Sequence, residues 1–346
     1  MKKNLIALAV LAASGVASAQ STVTLYGLVD AYFGSTRTKV SEPGVATTSL
    51  RQTVINSGGF NTSRFGLKGS EDLGGGLKAN FVLESGFNVD TGAASSYTNP
   101  FTGESSSSTF SRNSWVGVSG GFGEVKLGKM WTPYDDVKGL GAAAFDANIF
   151  APAANVWLSN NYQDRPGNAI YYVTPDMSGF SAAAMYSFGE NKTQTQKAGK
   201  IISANVKYIG GPVAVALAYQ REEQGGALAT NPTTKFTQLN GSYDFGVVKL
   251  LAAAGNVKRG EDKAKEYQIG VDVPVGAAFT LSGGYARSKL TSPAGDVTSR
   301  GFGLAGKYDM SKRTFLYAGV NAAKNDGGIA GEVKTETYAV GVQHKF

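Results

Sequence analysis

Cysteine is missing from the 346-residue chain, and histidine occurs once, at His344. An exported chain of this size without cysteine is not held by disulfides. With the single imidazole two residues from the end, a Ser-His-Asp or histidine–carboxylate hydrolase has no plausible base. A zinc site would need carboxylates alone, against that metal's preference for nitrogen and sulfur. Charge is also sparse: 17% of residues are Asp, Glu, Lys or Arg, against roughly 25% in an average globular domain. A net charge of +7 is too small an excess to read as a nucleic-acid footprint. Beyond residue 19 no stretch approaches the roughly 18 to 20 continuous apolar residues of a membrane helix. This last absence does not imply solubility, because a spanning strand needs only about 9 to 11 residues with apolar side chains at alternate positions.

What is present begins with Lys2 and Lys3, an apolar run from Leu5 to Ala13, and the small residues Ala17-Ser18-Ala19. This is the pattern of a cleavable secretory signal over residues 1–19, leaving 20–346 as a single domain. Cleavage there removes two lysines and lowers the formal charge from +7 to +5.

The rest repeats one unit: an alternating strand, a short glycine-rich turn, another alternating strand, a longer polar loop. In 77–87, Leu77, Ala79, Phe81, Leu83 and Phe87 share one face while Lys78, Asn80 and Glu84 share the other. Leu239, Gly241, Tyr243 and Phe245 oppose Gln238, Asn240, Ser242 and Asp244, and Tyr338, Val340, Val342, His344 and Phe346 form one parity of the last stretch. Gly74-Gly75-Gly76 is followed by a strand and not a helix, so it is a turn and not a phosphate loop. Short turns fall at 71–76, 120–123, 174–179, 209–212, 244–247, 273–277 and 309–313, which predicts sixteen strands. Longer polar segments fall near 34–61, 88–109, 131–165, 189–199, 221–234, 257–265, 287–299 and 324–334. Alternation is weak near 111–130 and 314–324.

A soluble all-β sandwich also alternates. Tyrosine or phenylalanine near the ends of so many apolar faces (Tyr186, Phe188, Tyr208, Tyr219, Tyr243, Tyr267, Tyr308) favours instead an all-β transmembrane antiparallel β-barrel, with those rings at the membrane interface. Sixteen strands enclose a water-filled lumen that side chains cannot fill. The longest non-alternating stretch, Trp131 to Asp164, exceeds an ordinary hairpin connection, and its apolar Leu140, Phe145, Ile149, Phe150, Val156, Trp157 and Leu158 argue against disorder. Arg64 shares parity with Lys68 and opposes Phe65 and Leu67, so both point into the lumen. Asp135, Asp136 and Asp146, in the long segment, are candidates for an opposing acidic wall. Basic rings in a pore favour anions.

The opening VTLYGLVDAYF, then SRFGLKGSEDLGGGLKANFVLESGF, then SRNSWVGVSGGFGEVKLGKMWTPYDD resemble the trimeric general porins of beta-proteobacteria. The resemblance runs from Val23 to Phe346, and SEDLGGGLKA is its most specific piece. Ending on an alternating strand with a terminal Phe resembles the assembly signal of Gram-negative outer-membrane barrels. The resemblance implies an outer-membrane homotrimer inserted among lipids by barrel-assembly machinery, without cofactor, passing small hydrophilic solutes and anions. It also implies that the long third loop folds into the lumen as a constriction; a loop packed at the rim or at the trimer contact is the alternative. Arg64, Arg112 and Arg165 match arginines of that narrow zone, with Pro166-Gly167 interrupting the usual continuation after Arg165. Lys129 stands where arginine is commoner. Each of these charges could instead be an ordinary solvated lumen or loop residue. A substrate-specific channel for small organic anions is the rival function. An aromatic track for sugars is not evident, since most Tyr and Phe have the lipid-facing parity. A plug domain before the first strand and an adhesive role for the loops find no support in composition.

Overall fold

The computed structural model describes residues 22–228, 231–328 and 331–346; the expected signal peptide lies outside them. The strands are β1 Thr22–Ser41, β2 in two segments, Thr48–Ser57 and Arg64–Gly74, β3 Leu77–Gly86, β4 Asn113–Gly120, β5 Gly123–Lys129, β6 Ala169–Val173, β7 Phe180–Phe188 and β8 Lys200–Gly210. They continue as β9 Val213–Glu223, β10 Thr234–Asp244, β11 Lys249–Arg259, β12 Asp262–Val275, β13 Phe279–Thr291, β14 Val297–Asp309, β15 Thr314–Asp326 and β16 Glu332–Lys345. The two segments of β2 pair with successive stretches of β1, 31–40 and 22–28, and so form one interrupted strand. Each strand is antiparallel to the next and β16 pairs with β1, so the sheet closes on itself as a sixteen-strand barrel.

The closing ladder between β1 and β16 runs on to Phe346. Phe346 and Gly27 exchange both backbone hydrogen bonds at 3.1 Å. The ring lies where a side chain at Gly27 would stand, 2.4 Å from an added Cβ, so only glycine leaves room there.

The alternation read in the sequence is the wall itself. On β10, Phe236, Gln238 and Asn240 are buried while Leu239 and Tyr243 are exposed; on β12, Glu266 and Gln268 are buried and Ile269 is exposed. Exposed apolar side chains recur on every side of the barrel, Leu67, Val116, Leu217, Leu250, Leu316 and Val340 among them. A continuous apolar band of this extent is not tolerated in water and is the lipid-facing surface of a membrane barrel. All seven short turns fall at one end, between β2 and β3 and so on to β14 and β15.

At the other end several expected loops are mainly strand. β1 runs to Ser41 and β2 begins at Thr48, within the expected 34–61 loop. Likewise β11 and β12 meet at Gly260-Glu261, β13 extends to Thr291, and β15 to Asp326. Apolar alternation ends where hydrocarbon ends, but the backbone ladder goes on: Thr36 faces Thr337 and Arg37 faces Glu336 in water on both sides. The weakly alternating stretches resolve as β4, β5 and β15.

The segment between β5 and β6 carries three short 3-10 turns, Asp135–Leu140, Ala144–Asp146 and Leu158–Asn160. It packs against the polar face of the wall through three apolar clusters. Tyr134, Val137 and Tyr162 meet Ala216, Ala218, Phe236 and Ala264; Val156 and Trp157 meet Ala253, Ala286 and Ala323; Phe150, Ala144 and Ala147 meet Phe60, Ala305, Phe315 and Tyr317.

Candidate pore constriction

A cavity of about 890 Å3 on the polar side of the wall is bounded by the root of β1, by β2–β4 and by the long segment. Arg64, Arg112, Arg165, Asp135, Asp136 and Asp146 all line it. The two charge sets named from the sequence therefore meet at one place.

On the basic side Glu84 is the organising group, and it was not singled out in the sequence. This carboxylate, on the polar face of β3, accepts Arg112 Nε at 2.7 Å, Asn113 Nδ2 at 3.0 Å and the Tyr26 hydroxyl at 3.0 Å, and it lies 3.9 Å from Arg64 Nε. Arg112 is buried by this fork, whereas Arg64 keeps about a quarter of its side chain open to the cavity. Trp131 supplies a flat support: the Arg165 guanidinium lies 3.5 Å from its ring centroid and Arg112 5.5 Å, a stacking that guanidinium planes favour. Arg165 also holds Asp164 at 3.2 Å. Burial pulls the Arg165 guanidinium down to about 10, which leaves it charged at physiological pH.

On the acidic side Asp135 accepts the Tyr162 hydroxyl and Asp136 accepts the Tyr171 hydroxyl at 2.6 Å. Burial pushes the Asp135 carboxyl up to about 7. Asp146 lies 3.7 Å from Lys138 and is also raised by burial. Its backbone is unusual: Ala144, Phe145 and Asp146 have φ of 51°, 62° and 50°. Three successive non-glycine residues in the left-handed region cost roughly 1–2 kcal/mol each, and persist only where packing fixes them.

Packing does so. Glu266 accepts Leu158 N at 2.6 Å, Ser159 N at 3.1 Å and Ser288 Oγ at 2.8 Å. Gln238 donates to Tyr134 O at 2.6 Å, Asn205 to Pro133 O at 2.6 Å and Asn321 to Phe150 O at 3.2 Å. Beneath the segment the wall is reduced to glycine: a Cβ on Gly303 would stand 2.0 Å from Phe150 O, and one on Gly301 2.1 Å from Pro152 O.

Lys68 and Lys129 do not line this cavity. Lys68 is on the polar face nearer the short turns, 5.3 Å above the Tyr26 ring. Lys129 has the parity of the exposed Val125 and Leu127; its ammonium donates to Arg165 O at 2.8 Å and sits 4.2 Å above the Tyr97 ring. One register step decides this, since a residue on the odd parity of β5 leaves the polar face. The cavity lining carries five basic and five acidic residues, Lys138, Lys345, Glu84 and Asp164 completing the two sets. Toward the short turns Lys68, Lys78, Lys126, Lys207, Lys249 and Lys307 share the parity of polar-face residues with Asp72, Glu124, Asp244, Asp272 and Asp309, a slight basic excess. Their alternation with apolar neighbours at strand ends was the signal available in the sequence.

A closed sixteen-strand barrel with an apolar exterior and a charged interior is the architecture of an outer-membrane channel. The sequence pattern of the Gram-negative porin family matches residues 6–328. The chain is 37% identical to outer membrane porin protein 32 of Delftia acidovorans over 99% of its own length and 95% of that protein. It is 30% identical to an outer membrane porin protein of Bordetella pertussis, end to end in both. Among solved structures it superposes on the anion-selective porin from Comamonas acidovorans with a TM-score of 0.75 and 28% identity, covering 94% of this chain and 100% of that one. The trimer form of OmpT from Vibrio cholerae shares the fold at a TM-score of 0.67 and 18% identity, over 94% and 99% of the two chains. The chain belongs to the Gram-negative porin family; it is an outer-membrane porin, a passive channel through the cell outer membrane.

Proposed function

We propose that the segment 131–164 lies within the lumen as the constriction of a general diffusion pore that prefers anions mildly. The observation that carries this reading is the confrontation, in one cavity, of Arg64, Arg112 and Arg165 with Asp135, Asp136 and Asp146. Balanced numbers with separated signs make a transverse field: a hydrated anion slides along the arginine side while its counter-charge follows the loop. The slight excess of lysine toward the short turns adds to that preference. Exposed guanidinium groups with several weak contacts allow release as well as entry. Glu84 bonds tightly to Arg112 and only loosely to Arg64, while Arg165 is stacked on Trp131 and paired with Asp164, so Arg64 is the group freest to meet the solute. The relatives' names support this reading, one of them being an anion-selective porin, and a homotrimer assembled in the lipid by barrel-assembly machinery follows from the same kinship.

The test is the reversal potential across a planar bilayer in a salt gradient. The wild-type channel favours the anion, and Arg64→Ala lowers the anion-to-cation permeability ratio by up to about fivefold, the factor given by the ~1 kcal/mol of a unit charge at ~4 Å in water. A cation-preferring wild-type channel, or a ratio unmoved by Arg64→Ala, overturns the assignment.

A further inference from the structure

Behind the long segment lies a second cavity, outside the constriction. From Leu158 to Arg165 the chain acts as a partition. Asn160, Tyr162, Asp164 and Arg165 face the charged cavity, whereas Leu158, Asn161 and Gln163 face a separate niche of about 350 Å3, and the two share no lining residue.

Strand register gives the niche two levels. Phe236, Val257, Ala264 and Leu290 stand directly opposite one another on β10–β13 as an apolar floor. One polar-face position nearer the loops, Glu222, Thr234, Arg259 and Asp262 stand opposite one another on β9–β12 as a polar rim. Phe101 closes the niche from the connection between β3 and β4. It is 4% exposed, beyond the first arm of a small hairpin that pairs Ser96–Thr98 with Ser105–Ser107, and its carbonyl accepts Asn191 Nδ2 at 3.1 Å.

Glu222 is the group left unmatched. Its Oε1 accepts Gln163 N at 2.7 Å and Gln220 Nε2 at 2.8 Å. Among the described residues no group of the chain donates to Oε2, and no lysine or arginine nitrogen lies within 4.0 Å of the carboxylate. The neighbouring cations are already engaged: Lys200 and Arg221 pair with Glu223. Arg259, the one basic residue of the lining, stands two strands away with Asp262 directly opposite it. A carboxylate largely removed from water is costly until a positive charge sits beside it.

We propose that the niche binds a monocationic amine with an apolar, ring-bearing body. The ammonium donates to Glu222 Oε2 at the rim. The body lies on the apolar floor between two aromatic rings, Phe101 and Phe236. The volume is that of a small ligand cavity. An organic anion is disfavoured by Glu222 and Asp262, and a metal ion lacks donors, since no group of three acidic or imidazole side chains gathers among the described residues. A bound amine also braces the partition, because Gln163 N rests on the same carboxylate.

The test is equilibrium dialysis of the porin extracted in mild detergent, with porin-free micelles as the blank. Four radiolabelled probes are compared: phenylbutylamine, neutral phenylbutanol, anionic phenylbutanoate, and butylamine without the ring. Phenylbutylamine binds at least about tenfold more tightly than phenylbutanol, the increment of one hydrogen bond to a charged group, and phenylbutanoate is not retained. Butylamine binds at least about tenfold more weakly than phenylbutylamine, for want of the buried ring. Glu222→Gln keeps an oxygen for Gln163 N and Gln220 but removes the charge, and it lowers phenylbutylamine to the affinity of phenylbutanol. Thr234→Trp fills the rim from the facing strand and weakens both neutral and cationic ring-bearing probes. The site is overturned if the wild-type porin binds phenylbutylamine and phenylbutanol alike, or butylamine as tightly as phenylbutylamine. It is also overturned if Glu222→Gln keeps the preference for the amine or Thr234→Trp leaves both affinities unchanged. The wild-type series alone decides should either variant fail to fold. Binding is read at equilibrium without current, so the niche stands or falls apart from the anion preference of the pore.

Discussion

The two halves of the inner wall are built differently. Around β2–β4 the polar face carries long charged side chains, Arg64, Glu84 and the flanking Arg112, held by one another and by Tyr26. From β9 to β15 it carries Ala216, Ala218, Ala253, Ala286, Gly301, Gly303 and Ala323, with the amides of Gln238, Asn240, Gln268 and Asn321 and the carboxylates of Glu222 and Glu266 between them, the carboxylates taken up by the long segment. The first half leaves charge facing water; the second is flat enough to receive a folded segment. In the proposed pore one wall makes the field and the other makes the bed from which the opposing charges are presented, although only the first half looks functional when taken alone.

The contrast breaks most completely if the bed is filled. Gly303→Val places a branched side chain where Phe150 O now sits, so the loop lifts; overpacking of this kind costs about 1–3 kcal/mol. Single-channel conductance rises and the anion preference weakens even though every arginine remains. Glu266→Ala comes next. It leaves the backbone N–H groups of Leu158 and Ser159 and the Ser288 hydroxyl without their charged acceptor, a loss of about 2–3 kcal/mol, seen as faster protease nicking within 131–164 of the detergent-solubilised protein.

Toward the short turns, replacing Lys207, Lys249 and Lys307 together by Gln reduces anion conductance by about twofold at 0.1 M salt and little at 1 M, because such charges are screened beyond ~3 Å at the higher strength. Bilayer recordings at the two salt concentrations distinguish this rim effect from that of Arg64. A smaller effect follows from pH. With its carboxyl at about 7, Asp135 is mostly charged at pH 8 and mostly protonated at pH 6, so acidification removes negative charge from the loop side and strengthens anion preference across that range. Asp135→Asn flattens the dependence. The smallest effect belongs to Lys129→Met: the ammonium is turned toward Arg165 O and Tyr97, and the permeability ratio stays at its wild-type value.

The barrel was legible because a membrane wall imposes a period of two on every strand, as in Leu239, Tyr243 and their polar neighbours. Strand ends were not legible: above the hydrocarbon both faces meet water, and nothing in Thr36 or Thr337 distinguishes ladder from loop. Arg64 and the aspartates could be found by parity and by composition. Glu84 could not, since one acidic residue on a polar face means little until three donors converge on it. Lys129 was placed in the pore by motif and left it by one register position.

Sequence alone determined the closed wall, its apolar exterior and the reservoir of charge inside, because alternation is a local property that each strand states for itself. Tertiary structure decided which charges meet, where the glycine bed lies and which lysines face the lipid. Those depend on the register between strands and on the path of a segment that touches the wall far away in sequence, and no local pattern records either.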